Sequence, residues 1–268
     1  LRTVHLMPGL LRKKAPLLGA FFIAWLFSPA LQAFCPPPPA GLPQVRVERV
    51  VDGDTLRLQD GRSVRLIGIN APELARRGQP AQPHAQAARQ YLAQLVAASD
   101  ERLYLQAGRQ ARDRYGRSLA HLYDRQGGSL EAQLLAAGMG WQVVVAPNTA
   151  QAACLQRAER QARAQRLGVW RQPQWLQPAQ LQRGGFALIA GRVQRVERNR
   201  GGLWLEMGEL VVRIARPRAA EFAAIDWPAL QGQRVEVRGW VVERRSVAAG
   251  RARWQLSLEH PLLLQPVR

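Results

Sequence analysis

VRVERVV (45–51), TLRL (55–58) and SVRLIGI (63–69) are three short β-type runs separated by turn residues. Apolar and polar residues alternate in them, so each run has one face suited to a core. PHAQAARQYLAQLVAAS (83–99) then changes to helical spacing. Two more strand-like runs, RLYLQA (102–107) and SLAHLYD (118–124), flank the turn DRYGR. SLEAQLLAAG (129–138) starts on a serine cap with an acidic residue in its first turn and stops at Gly138. Residues 149–167 give a third helical segment. The order is strands, helix, strands, helix, helix. Five short strands with this helical complement fit a small closed barrel with helices packed outside.

The proline-, glutamine- and glycine-rich stretch QPQWLQPAQLQRGG (172–185) reads as a boundary. Beyond it, FALIAGRVQRVE, GLWLEMG, ELVVRIA, GQRVEVRGWVVERR and ARWQLSLEH are again about five strand candidates. The expected fold is mainly β with α: a five-stranded oligonucleotide-binding-type barrel with about three helices over 44–172, a linker over 173–184, and a second small β barrel over 185–268. The second pattern resembles an oligonucleotide-binding barrel, and a generic β barrel or sandwich fits the same periodicity.

Charge narrows the class of partner. Lys+Arg number 38 against 19 Asp+Glu, a formal charge of +19. Residues 41–172 carry 19 arginines and 11 acids, and residues 185–268 carry 14 and 8. Both halves therefore suit a polyanion such as DNA or RNA, or an anionic surface. No obligate protein partner is signalled.

Arg12, Lys13 and Lys14 precede the apolar run APLLGAFFIAWLFSPALQA (15–33), with small residues at Ala30 and Ala33. Residues 1–33 read as a signal peptide, which predicts a periplasmic or secreted protein. A retained membrane anchor is the alternative, because about nineteen apolar residues can span a bilayer. The prolines of 34–43 make a stiff lead. In an oxidising compartment Cys35 and Cys154, the two cysteines, would pair and close a loop of about 120 residues. Two unrelated buried thiols are the other reading.

Three motifs carry chemistry. VDGDT (51–55) and RLIGINAPE (65–73) bring oxygen ligands and acids: Asp52, Asp54, Asn70 and Glu73. RLIGINAPE and DRYGR (113–117) each bring an arginine, Arg65 and Arg117. A hard divalent cation takes oxygen ligands. A phosphoryl group under attack needs positive groups against its developing charge. His84 and His121 lack metal-ligand spacing. The tryptophans at 141, 170, 204, 227, 240 and 254 read as packing residues rather than a base-stacking row.

These motifs, in this order, with GMGW (138–141) and LGVW (167–170), resemble the staphylococcal-nuclease-like, or thermonuclease, family over about residues 44–171. The resemblance implies a calcium-dependent phosphodiesterase acting on DNA and RNA and leaving 3′-phosphate ends. It implies Asp54, Asn70 and the carbonyl of Ala71 as metal ligands, with Asn70 standing where the family usually has aspartate. Arg65, Glu73 and Arg117 become catalytic residues, with Glu73 assisting the attacking water. Asp52 and Thr55 support the metal site, and Arg114 and Tyr115 contact substrate. A non-catalytic nucleic-acid-binding protein of the cell envelope is the competing reading, which Asn70 keeps open.

Overall fold

In the computed structural model, residues 34–76, 78–245 and 250–267 are described. The expected signal peptide, residues 1–33, lies outside them. The alternating runs of the first half become β1 (Gln44–Val50), β2 (Thr55–Leu58), β3 (Ser63–Leu66), β4 (Ile69–Asn70), β5 (Arg102–Arg112), β6 (Ser118–Tyr123) and β7 (Trp141–Gln142). Five of these close a barrel in the order β1-β2-β3-β6-β5, while β4 and β7 pair separately. The inward residues Val45, Val47, Leu56, Leu58, Val64 and Leu66 are buried together with Leu103 and Leu122. A bulge between Val47 and Arg49 shifts the β1–β2 register just before the VDGDT turn.

Helix α1 (Ala85–Ala98) lays Ala85, Ala88, Leu92 and Val96 on the barrel as one stripe. Helix α2 (Leu130–Ala136) begins at Ser129, whose hydroxyl accepts the Ala132 N–H at 3.2 Å. Its first-turn acid, Glu131, is fully buried. It accepts from the Leu122 N–H (3.1 Å) and the Ser129 hydroxyl (2.9 Å) and meets His121 Nδ1 at 3.2 Å. This network fastens α2 to β6, and the carboxylate serves the fold.

Helix α3 (Ala152–Ala164) carries Cys154, which is joined to Cys35 by a disulfide spanning 119 residues of sequence. The bond staples the proline-rich lead onto the core, and no free cysteine remains. Cys154→Ser is expected to lower the unfolding free energy by about 2–4 kcal/mol. Urea unfolding of oxidised and reduced protein checks this, and coincident midpoints would refute it.

The C-terminal half comprises β8 (Trp175–Leu176), β9 (Gly185–Arg192), β10 (Arg195–Asn199), β11 (Gly202–Met207), β12 (Leu210–Ala215), α4 (Trp227–Leu230), β13 (Arg234–Glu243), β14 (Trp254–Ser257) and β15 (Leu264–Pro266). The expected second barrel, and with it the likeness to an oligonucleotide-binding barrel there, is not what forms. The strands make one open eight-stranded sheet, β10-β11-β12-β14-β13-β9-β8, with β15 also on β13. Closure is blocked by how the edges are used. β8 pairs parallel with β9 and takes the edge where a closing strand would lie, and among the described residues β10 pairs only with β11. One edge of β13 is shared by β15 at 235–237 and β14 at 241–243. Alternation identifies the faces of a strand but not its edge partners, so the sequence pattern could not separate barrel from open sheet.

This sheet packs on the first half through charged and aromatic side chains. Arg238 of β13 and Glu159 of α3 form a buried two-pronged pair, with both N–O distances 2.7 Å. Glu159 also accepts the Gln142 N–H of β7 at 2.6 Å. Arg163 of α3 pairs with Glu236 at 2.6 Å and lies over the rings of Trp170 and Trp175.

Candidate active site

The β1–β2 turn is shaped by close approach. A Cβ on Gly53 would lie 2.6 Å from Ala88 Cβ and 2.7 Å from Ala71 Cβ, so only glycine lets the turn sit between α1 and the loop after β4. Asp52 Oδ1 accepts the Asp54 N–H at 3.0 Å and sets the turn. Asp54 is thereby aimed inward, only 5% exposed. The Thr55 hydroxyl donates to its Oδ1 at 3.0 Å, and the Ala71 N–H to its Oδ2 at 2.7 Å.

Thr55 and Arg65 are direct cross-strand partners, which brings the Arg65 guanidinium over Asp54. Nη1 is 2.6 Å from Asp54 Oδ2, and Nη2 donates to Asn70 Oδ1 at 3.2 Å. The Nη1 contact is one of charge, because its hydrogens align with no acceptor among the described residues. Burial pushes the Asp54 carboxyl up to about 7, with Arg65 pulling it down and Asp52 pushing it further up. Asp52, Asp54, Thr55, Arg65, Asn70 and Ala71 are thus one connected group.

The DRYGR turn is a second group. Asp113 Oδ1 accepts the N–H groups of Tyr115 (2.9 Å) and Arg117 (3.0 Å), and Oδ2 accepts Arg117 Nε–H at 2.7 Å. Burial raises the Asp113 carboxyl, but these donors outweigh it and hold the group below its usual value. Arg114 Nη2 donates to the Tyr115 hydroxyl at 2.6 Å. Both Arg114 and Arg117 lie over the Tyr115 ring, which is 68% exposed. Parallel pairing of β3 with β6 places this turn beside Arg65, since Val64 and Arg65 face Ser118 and Leu119.

Glu73 is exposed, at the start of the loop to α1. Its N–H donates to Gln82 Oε1 and its carbonyl accepts the Gln82 N–H, each at 2.9 Å. Among the described residues, no hydrogen bond or ion pair links the carboxylate of Glu73, or Arg117, to the Asp54 group. No cluster of three or more His, Cys, Asp and Glu is present among the described residues either. The oxygen donors here are the carboxylates of Asp52 and Asp54, the Thr55 hydroxyl, the Asn70 amide and backbone carbonyls.

Sequence reasoning missed two neighbours of this site. Gln82 pins the Glu73 loop, and nothing in its spacing signals that. Trp141 stands directly across from Asn70 in the β4–β7 ladder. The GMGW motif held that signal, because a Cβ on Gly140 would lie 2.8 Å from the Asn70 carbonyl oxygen.

The sequence model of the family described as "Staphylococcal nuclease homologue" matches residues 63–172, which include Arg65, Asn70, Glu73 and the DRYGR turn and begin after VDGDT. The "Thermonuclease" of Staphylococcus intermedius is 30% identical over 129 residues, covering 46% of this chain and 74% of that protein. The "Thermonuclease" of Staphylococcus hyicus is 29% identical over 128 residues, covering 47% and 74%. An "Uncharacterized endonuclease" of Escherichia coli O157:H7 is 33% identical over 129 residues, covering 47% and 75%. With the closed five-stranded barrel and its connected acid–arginine group, these likenesses show that the chain belongs to the staphylococcal nuclease family, a family of nuclease-type hydrolases.

Proposed function

We propose that this protein is an exported, calcium-dependent phosphodiesterase that hydrolyses DNA or RNA and leaves 3′-phosphate ends. The observation that carries the reading is the convergence of Asp54 Oδ2 and Asn70 Oδ1 on the one guanidinium of Arg65. Two hard oxygens turned toward one cationic group are a donor set that fits calcium, with the Ala71 carbonyl as a third ligand. The misaligned, buried Nη1 fits a place where the arginine would share the carboxylate with a metal. Calcium bound there would neutralise charge on the scissile phosphate.

The chain's own residues supply the rest. Arg65 and Arg117 grip the phosphoryl oxygens, and Asp113 sets the aim of Arg117. Glu73 accepts a proton from water as the water oxygen bonds to phosphorus in line. The bond from phosphorus to the 5′ oxygen breaks, and that oxygen leaves, takes up a proton and becomes a 5′ hydroxyl. Asp52 and Thr55 hold Asp54 in place, and Arg114 and Tyr115 support the flanking nucleotide. Residues 44–172 form the proposed nuclease unit. The Cys35–Cys154 bond supports export, because such bonds persist in oxidising compartments.

A nuclease assay on single-stranded DNA with and without calcium tests the proposal. Binding with no cleavage in calcium, magnesium or manganese would favour the non-catalytic alternative. Asn70 supplies no negative charge, so Asn70→Asp is expected to tighten calcium binding about tenfold. Calorimetric titration checks this, and equal affinities would remove Asn70 as a weak point.

A further inference from the structure

The structure sorts the tryptophans. Trp227 and Trp254 are core residues, Trp170 and Trp175 pack against each other and Arg163, and Trp204 is held by Asn199 and Arg213. Trp141 and Phe186 are partly buried against the same apolar cluster as Trp170 and Trp175, and Trp240 extends that cluster outward. Trp141 lies opposite Asn70, and directly opposed residues of a ladder put their side chains on the same face. The Trp141 ring centroid is 5.5 Å from that of Phe186, and Phe186 is 5.4 Å from Trp240 in an edge-to-face contact. Phe186 and Trp240 are themselves cross-strand partners in β9 and β13. A row of three rings therefore runs from beside the candidate site out onto the C-terminal sheet.

The outer end of that row is open. Glu236, Arg238, Trp240 and Val242 share one face of β13. Arg163 and Glu159 of α3 take the first two. Past α3 the described residues leave the same face about half open, with Trp240 45% and Val242 52% exposed. The segment entering β9 is tied to the loop after Glu73, where Arg183 Nη1 donates to Gln79 Oε1 at 3.3 Å. The one open ring of the three, Trp240, is thus joined through the partly buried Phe186 and Trp141 to the residue opposite Asn70, on a chain of formal charge +19.

We propose that Trp240, buttressed by Phe186 and Trp141, is a base-stacking platform for single-stranded nucleic acid leading to or from the candidate active site. This rests on the nuclease reading for its polymer. An unpaired base offers its π-face to a ring, whereas a base inside a duplex has both faces covered. The C-terminal sheet would thereby favour single strands over duplex.

The test is fluorescence anisotropy with a labelled oligothymidylate of about twelve nucleotides and a duplex of equal length, in chelator so that nothing is cut. Trp240→Ala is expected to bind the single strand about tenfold more weakly, with little change on the duplex. Trp240→Phe is expected to keep most of the affinity. Circular dichroism confirms folding, which an exposed position should spare. Equal single-strand affinity of wild type and Trp240→Ala, or equal losses on both probes, would overturn the proposal. Because binding is read without turnover, a protein that stacks but never cleaves would retain the platform and lose the nuclease reading. A protein that cleaves without any Trp240 effect would do the reverse.

Discussion

Arg117→Ala is expected to lower kcat on single-stranded DNA by about 10²–10³-fold, the cost of removing one preorganised charge from a phosphoryl transition state. Arg117 is the cleaner of the two arginines for this measurement. Its side chain is one-third exposed and bonded through Nε to Asp113, so its loss strands no buried charge. Arg65 is different. It is the cation paired with Asp54 inside the fold, and removing it would disturb stability and chemistry together. If Arg117 acts on the reacting phosphate, the loss falls on kcat. Tyr115→Ala, which removes an exposed ring beside the arginines, should instead raise KM. Asp113→Asn should cost less than Arg117→Ala, because the guanidinium remains and only its aim loosens. Glu73→Gln should cost about 10²–10⁴-fold as a lost general base. A folded Arg117→Ala protein with activity within about threefold of wild type would remove Arg117 from the chemistry.

The parts of this molecule that were legible in sequence are those set by local periodicity. Val45 and Val47 alternate with exposed residues in β1, and Ala85, Ala88, Leu92 and Val96 make a single stripe in α1. The runs VDGDT, RLIGINAPE and DRYGR stand out in sequence because each gathers acids, amides or arginines in a few residues, while the roles given to them come from the family resemblance. Three things were not legible. Which strand edges pair is set by tertiary contacts, so the alternation of 185–268 fits a closed barrel as well as the open sheet that forms. Glu131 looks like an ordinary first-turn acid, yet it is fully buried, where the Leu122 N–H and the Ser129 hydroxyl donate to it and His121 lies alongside. Arg238 sits in an amphipathic strand at a position that reads as solvent-facing, and it is buried because α3 of the first half covers that face.

That last residue has the largest expected effect on stability. Arg238→Ala leaves Glu159 buried and without its cation, and is expected to lower the unfolding free energy by about 3–5 kcal/mol. The Gln142 N–H still reaches the carboxylate, but one backbone donor does not replace two charged prongs at 2.7 Å. Replacing both partners, Glu159→Leu with Arg238→Met, should recover most of the loss, because the desolvation of two charges disappears with them. Urea unfolding of the two single variants and the double variant measures the coupling directly. A loss under about 1 kcal/mol for Arg238→Ala would mean that water reaches Glu159 and that the interface is not closed. The effect should also reach the site. Glu159 holds Gln142 in β7, and the preceding residue, Trp141, pairs with Asn70. On the proposed calcium-dependent reading, loss of Arg238 should therefore weaken calcium binding even in protein that remains folded. By the same argument, a chain ending near residue 172 would keep the barrel and every site motif yet expose α3 with Glu159 unpaired. It should unfold at lower urea than the full chain, the result expected of a C-terminal sheet that supports α3 through Arg238 and Glu236.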